Sequence, residues 1–261
     1  MSGRVRLIVF LVAAAGFAAL FVWGVIGLPD FGKYQGPYGN VLNKVAVPQR
    51  HGTDVVTDIN FDYRAFDTIG EEFILFVSVA GVALLLRTER DETDVEPPED
   101  ESALRKTYTS NAIRALCLFL VAPAFVLGWY IVTHGQLTPG GGFQGGAVLA
   151  SALILLYLAG GYKTFRRLGA EPRSEVPEAI GAGGFVLIGF AGLLAGATFL
   201  ENIVPLGPVG LVYSGGTIPL ISLSIGIEVG GGFLVILAEF LRQALQVRES
   251  ARAREQEQEE Q

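Results

Sequence analysis

Between Glu201 and Glu239 the only charged residue is Glu228, which stands near the middle of a long apolar run. An acid inside a membrane-crossing segment is costly and usually faces a cavity or a partner. Glu228 must therefore be neutral, reach water, or pair with another helix or subunit, and the chemistry it suits is ion or proton handling. Glu71 and Glu72 enter another apolar run in its first turns. They fit an ion path, and they also fit a helix N-terminus, where acids are favoured. For Glu72 the N-terminal role is the preferred reading; for Glu71 the two are even. His134 closes a third apolar run. Its reference pKa of about 6.5 suits proton exchange near neutral pH, but an interfacial histidine capping the last carbonyls of its helix is the preferred reading. Asp54, Asp58 and Asp62 repeat every four residues beside Val55, Ile59, Tyr63 and Phe66. That pattern predicts an amphipathic helix on the surface or against a bundle, with the acids as its solvated face.

Long apolar segments must position these residues. The chain has 261 residues, 51% of them hydrophobic and 17% charged, with a mean hydropathy of +0.45. Soluble domains carry about 25% charged residues. A bilayer forces each spanning segment to satisfy its own backbone, so the runs are expected to be α-helices of about 20 residues. Six spans are predicted: Leu7–Leu28, Asp67–Leu86, Ile113–Thr133, Pro139–Tyr162, Ala179–Leu200 and Thr217–Leu241. The first has a basic start at Arg4 and Arg6, but it is longer than a secretory core of roughly 7–15 residues and reads as a retained helix. The expected fold class is an all-α integral membrane protein with about six transmembrane helices.

Basic residues predict its orientation. Arg4 and Arg6 precede span one. Arg87, Arg90, Arg105, Lys106 and Arg114 lie between spans two and three. Lys163, Arg166, Arg167 and Arg173 lie between four and five, and Arg242, Arg248, Arg252 and Arg254 follow six. His134–Thr138 and Glu201–Gly216 contain no Lys or Arg. Both termini are thus expected to be cytoplasmic, which agrees with an even number of spans. The long segment Pro29–Phe66 departs from the rule, since it holds Lys33, Lys44, Arg50 and Arg64.

The net charge of −7 is concentrated locally: Glu89–Glu101 holds eight acids and one Arg around Pro97-Pro98. Such a segment cannot bury a core and reads as a solvated linker. The expected organisation is a two-helix module at 1–87, an acidic linker at 88–107, a four-helix domain at 108–243 and a polar tail at 244–261. Cys117 is the only cysteine and excludes an internal disulfide. Glycine pairs spaced by four (Gly141/Gly145, Gly142/Gly146, Gly192/Gly196 and Gly226/Gly230) predict close helix packing.

The most distinctive motif joins spans three and four: His134-Gly-Gln-Leu-Thr-Pro139-Gly140-Gly141-Gly142-Phe143-Gln144-Gly145-Gly146. Thr138 is expected to N-cap the fourth helix with Pro139 at its first position. A phosphate loop is excluded, because no Lys-Ser/Thr follows the glycines and no strand precedes them. From Arg105 to Leu241 the chain resembles the B-type subunits of Mrp-type multisubunit cation/proton antiporters (MnhB, or MrpB), through this motif, Gly216-Thr-Ile-Pro-Leu220 and Gly226-Ile-Glu-Val229. Where that family commonly reads His-Gly-His, this chain has Gln136. The first module, through Asp62-Tyr-Arg-Ala-Phe-Asp-Thr-Ile-Gly-Glu71, resembles the C-terminal membrane segment of the large A-type antiporter subunits, or the E-type subunit of membrane-bound hydrogenases.

The resemblance implies a component of a multisubunit Na⁺/H⁺ antiporter in the cell inner membrane. Its partners would be the A, C, D and small subunits, Na⁺ and protons, and the lipid bilayer. It would supply assembly contacts and line the cation path, with Glu71, Glu228 and His134 as the candidate residues. No catalytic residue, cofactor, metal or nucleic acid is expected. The alternatives are a membrane component of a hydrogenase-like or respiratory redox complex, and a purely structural scaffold.

Overall fold

The computed structural model describes residues 3–28, 32–33, 36–86, 110–165 and 175–259, with backbone only at 3, 162–163 and 245–259. The expected acidic linker at 88–107 lies outside the described residues, as do most of the basic residues expected beside spans two to five. Every regular element among the described residues is helical. Among the described residues, six helices are long and apolar enough to cross a membrane: Arg4–Ile26, Ala65–Leu86, Asn111–Thr133, Gly142–Gly161, Glu175–Leu194 and Ile218–Ala244. The all-α membrane fold expected from the sequence is the fold observed.

The chain divides into two compact units, Met1–Val41 and Leu42–Gln261. The first contains α1 (Gly3–Ile26) and the opening turn of α2 (Pro37–Arg50). Helix α1 has a mean hydropathy of 2.5 and buries none of its residues. Apolar side chains around its whole circumference suit lipid or another protein, not water.

In the second unit the helices surround α8 (Ile218–Glu259). Helices α4 (Ala65–Leu86), α5 (Asn111–Thr133), α6 (Gly142–Phe165) and α7 (Glu175–Leu194) all pack on it. The core lies along its inner stripe, where Ile218, Ile221, Ile225 and Val229 are fully buried against Phe61, Ile69 and Phe185. Glycine makes this packing possible. A Cβ at Gly146 of α6 would lie 2.7 Å from the Gly226 carbonyl and 2.9 Å from Val229, and one at Gly231 of α8 would lie 2.6 Å from the Glu178 amide nitrogen. Without side chains there, the backbones approach closely enough for dispersion to hold them, since hydrophobic transfer drives little association within lipid. Gly192 and Gly196 do not form such a pair: α7 ends at Leu194, and Gly196 turns the chain at φ 79°.

Span boundaries differ from expectation in three places. Helix α7 starts at Glu175 and ends at Leu194, earlier at each end than the apolar run suggested. Helix α6 starts at Gly142, not Pro139. Gly140 (φ 154°) and Gly141 (φ 133°) are non-helical, a region that favours glycine. The Thr138 hydroxyl donates back to the His134 carbonyl at 3.3 Å and does not cap α6. Finally, α8 runs unbroken from the membrane span through the polar tail to Glu259.

A further correction concerns Asp54, Asp58 and Asp62, which do not line a solvated helix face. Asp54 caps a single turn, α3 (Val55–Asp58), accepting from the Val56 amide at 3.2 Å. A π-helical turn, Ile59–Tyr63, follows and leads into α4. The wider turn shifts Asp62 out of the four-residue register. Asp58 is fully buried. Asp62 pairs with Arg50 at 2.5 Å and accepts from the Asn202 side chain at 2.8 Å.

Candidate functional site

Three glutamates from three helices meet beside α8. Glu72 of α4, Glu178 of α7 and Glu228 of α8 retain 6%, 5% and 1% of their exposure. Glu72 and Glu228 line one narrow pocket with Ile69, Phe73, Ala182 and Phe185, with no room for a water molecule. The Glu178 carboxyl reaches α8 one turn beyond Glu228, where a Cβ at Gly232 would lie 3.6 Å from its Oε1. The contact between α7 and α8 that brings Glu178 and Glu228 together depends on glycine on both sides. A Cβ at Gly181 would lie 2.6 Å from the Glu228 Cα, and Gly231 faces Glu178 in the same way.

Four oxygens in this group have no hydrogen-bond partner: Glu72 Oε2, Glu178 Oε1 and both of Glu228. The spans carrying them, Ala65–Leu86, Glu175–Leu194 and Ile218–Leu241, contain no Lys or Arg. An acid at the centre of a membrane helix costs about 2.5–3.5 kcal/mol even on the most lenient scale. Glu228, in mid-helix, carries that cost with no Lys or Arg on these segments to offset it, whereas Glu178 lies in the first turn of α7. Among the described residues, no group of three or more His, Cys, Asp or Glu has metal-holding geometry.

Beside the narrow pocket lies a cleft of about 300 Å³. It is lined by Thr57, Asn60, Thr68, Glu71, Glu72 and Gln144, with Phe61, Gly140, Phe143 and Ile225 among its other walls. Glu72 belongs to both spaces. One side of the cleft is the π-turn segment and the start of α4, and the other is the proline–glycine hairpin. The hairpin motif therefore divides its work. Gly140, Phe143 and Gln144 wall the cleft, while Gly142, Gly145 and Gly146 allow α6 to seat against α5 and α8. Phe143 is held edge-to-face on Phe233 of α8, at 6.1 Å between ring centroids.

The sequence-predicted residues take up different places. Glu228 sits at the centre of the carboxyl group. Glu71 is exposed at the cleft. Glu72 is buried in the third turn of α4, so it does not cap the helix as preferred from sequence. His134 is the C-cap residue of α5. Its Nδ1 lies 3.0 Å from the Tyr130 carbonyl, an acceptor only, so Nδ1–H donates there, and the ring stacks on Tyr130 at 4.3 Å. His134 lines neither space, and this geometry is that of a helix-capping histidine. Pro139 is exposed in the hairpin.

The sequence pattern did not reveal Glu178, which falls just outside the expected span five. The available signal was Pro177, which suits the first turn of a helix and so puts Glu178 inside the span. Gln136 stood out only as a departure from a pattern. In the structure Gln136 is fully buried. Its Nε2 donates to the Val212 carbonyl at 2.5 Å, and its backbone carbonyl accepts from the amides of Thr53 at 2.8 Å and Asp54 at 3.1 Å. It ties three loops together.

Fold and site together define a multi-pass helical membrane protein with unpaired carboxyls in its interior. Residues 112–235 match the model of a family described as a domain related to the MnhB subunit of Na⁺/H⁺ antiporters. A protein from Methanocaldococcus jannaschii is 30% identical over 230 residues, covering 82% of this chain and 86% of that protein. A probable K⁺/H⁺ antiporter A/B subunit from Rhizobium meliloti is 33% identical over 125 residues, 42% of this chain and 12% of that protein. A chain of the membrane-bound sulfane sulfur reductase, an archaeal respiratory membrane complex, superposes with a TM-score of 0.69 at 29% identity, covering 91% of this chain and 98% of that one. A chain of the Mrp complex from a Dietzia species superposes with a TM-score of 0.68 at 22% identity, covering 92% of this chain and 26% of that one. This chain thus belongs to the MnhB-related family, and it spans only a small part of the antiporter chains it resembles.

Proposed function

We propose that this protein is a membrane component of a multisubunit monovalent cation/proton antiporter, supplying assembly contacts and part of the ion path. The observation that carries this reading is the unpaired carboxyl group Glu72–Glu178–Glu228 inside an MnhB-related fold. The likeness to a chain of the Mrp complex supports a place among larger antiporter chains. On this reading both termini face the cytoplasm of a cell inner membrane. The A, C, D and small subunits are the partners, and the first module stands where the large A-type chain contributes its C-terminal segment. Na⁺ is the cation favoured by the family description. Of the candidate residues, Glu228 and Glu71 lie on or beside the ion path, and His134 serves its helix end. The role is transport, with no covalent chemistry.

The test is cation-dependent proton exchange in everted vesicles from an antiporter-deficient host that carries the complete complex, with and without this chain. Exchange that requires this chain supports the proposal. Exchange unchanged by its omission contradicts it.

A second reading rests on a specific observation: the chain covers nearly all of one chain of a respiratory complex at 29% identity. There the same module would couple ion movement to a redox reaction. Iron–sulfur signals in the purified native complex would favour this reading.

A further inference from the structure

Asp58 is fully buried yet stands outside the membrane spans. It ends α3, and neither of its carboxyl oxygens has a hydrogen-bond partner. The turn at Gly52 lies directly on that carboxyl: a Cβ at Gly52 would overlap Oδ1 and come within 2.7 Å of Cγ. From the same turn, hydrogen bonds reach across the chain. The His51 Nδ1–H donates to the Gly207 carbonyl at 2.5 Å. The amides of Thr53 and Asp54 donate to the Gln136 carbonyl at 2.8 and 3.1 Å, and the Thr53 hydroxyl donates to the Leu137 carbonyl at 2.7 Å. Residues 51–54 therefore clamp the hairpin after α5 to the loop before α8. From this geometry we infer that Asp58 is a proton-operated latch: its neutral carboxyl holds the clamp closed, and its ionised carboxylate releases it. The inference stands apart from the antiporter reading, because the clamp is read without measuring transport.

The charged groups around Asp58 are matched elsewhere. Arg50 faces it from the end of α2, but the Arg50 Nε pairs with Asp62 at 2.5 Å and the guanidinium lies over the Tyr63 ring at 4.8 Å. Asp62, in the π-turn, also accepts from Asn202 at 2.8 Å. Asp54, at the α3 N-cap, accepts from the Val56 amide at 3.2 Å and from the Thr57 hydroxyl at 2.8 Å. The Tyr63 hydroxyl donates to Gln49 at 2.6 Å. At the start of α4, Arg64 pairs with Asp67 at 2.6 Å, and α8 carries no charged residue before Glu228. A carboxylate confined beside two other acids lacks both solvent and a donor, which disfavours its charged form. Burial, then Asp62 and Asp54, accordingly hold the Asp58 pKa up at about 7.

The consequence is mechanical. A neutral carboxyl tolerates Gly52 above it. Loss of its proton to water leaves a charge that must be hydrated, and water reaches it when the Gly52 turn lifts. Lifting breaks the bonds to Gly207, Gln136 and Leu137. Val56, Thr57 and Asn60 of the adjoining turns wall the polar cleft, so release loosens one side of it. Between the ordinary carboxylate pKa of 3.8 and about 7, the closed form holds a proton that the open form has lost. Opening therefore grows with pH in that window and levels off above about pH 7.

The experiment measures amide hydrogen exchange in the intact purified complex from about pH 5 to about pH 8, corrected for the intrinsic rate of each amide. The latch predicts that protection at Thr53 and Asp54 falls roughly tenfold per pH unit up to about pH 7 and then levels. The Ile221 amide, which donates to the Thr217 carbonyl at 3.0 Å, reports the rest of the fold and keeps its protection. Asp58→Asn stays closed, with protection independent of pH. Gly52→Ala is open at every pH, because its methyl group takes the place of the carboxyl. Asp67→Asn, an exposed acid paired outside the latch, keeps the wild-type slope. No slope in the wild type, a slope that survives in Asp58→Asn, or wild-type protection in Gly52→Ala overturns the inference. If Asp58→Asn fails to assemble, Asp58→Ala decides: it too lacks the titrating group and must show no slope.

Discussion

Asp58 shows how burial converts an ordinary acid into a pH-sensitive one. Burial, then the charges of Asp62 and Asp54, push its pKa up from 3.8 to about 7, with Arg50 opposing. The folded state therefore binds a proton that the unfolded chain has released between those values. Stability from this residue is complete below about pH 4 and is lost as pH rises through about 7. Asp58→Asn keeps the shape and removes the titration, so the thermal stability of the complex should become less dependent on pH between about pH 5 and pH 8. An unchanged slope would show that Asp58 does not titrate there. Outside the membrane, Glu201 is held below the usual carboxylate range by the amide and hydroxyl of Thr198, at 2.8 and 2.9 Å.

Residue identity alone distinguished these acids poorly. Glu228 was legible because nothing charged surrounds it in sequence. Glu72 was not, because one residue of phase separates it from the exposed Glu71, and only the start of α4 at Ala65 sets that phase. Asp58 was misread because a four-residue repeat does not record that the chain at Gly52 folds back against its carboxyl.

Among the elements, helix type and number followed from hydropathy, whereas the helix ends followed from local chemistry that hydropathy does not record. The glycines after Pro139 delay α6 until Gly142, and the polar residues before Ala179 join α7 despite their charge. Gly146 lies where α6 and α8 touch, and a larger residue there must displace the Gly226 carbonyl or Val229. Gly146→Val should cost about 1–3 kcal/mol, the usual range for overpacking, seen as a lower unfolding temperature in detergent. The same change at Gly183, which faces open space, should have little effect. Gln136→Ala removes the donor to the exposed Val212 carbonyl, a loss of about 0.5–1.5 kcal/mol. It should also loosen the loop 201–216, detected as faster amide exchange there. Unaltered exchange would contradict the tie between the loops.

Across the chain from Leu42 onward, α8 is the organising helix: it packs against α4, α5, α6 and α7 and carries the central acid of the site. Glu72 comes from α4, and Glu178 and Glu228 come from α7 and α8, so the site is assembled from distant parts of the sequence. The sequence pattern marked the two modules separately but contained no signal for their contact, since contacts between distant helices depend on shape and not on local periodicity. The decisive measurement is Na⁺- or K⁺-dependent proton movement in proteoliposomes holding the purified complete complex, compared between wild type and Glu228→Gln at equal assembly. If the interior carboxyls carry the ion path, the wild type exchanges and the variant does not. Equal exchange in both would contradict that role.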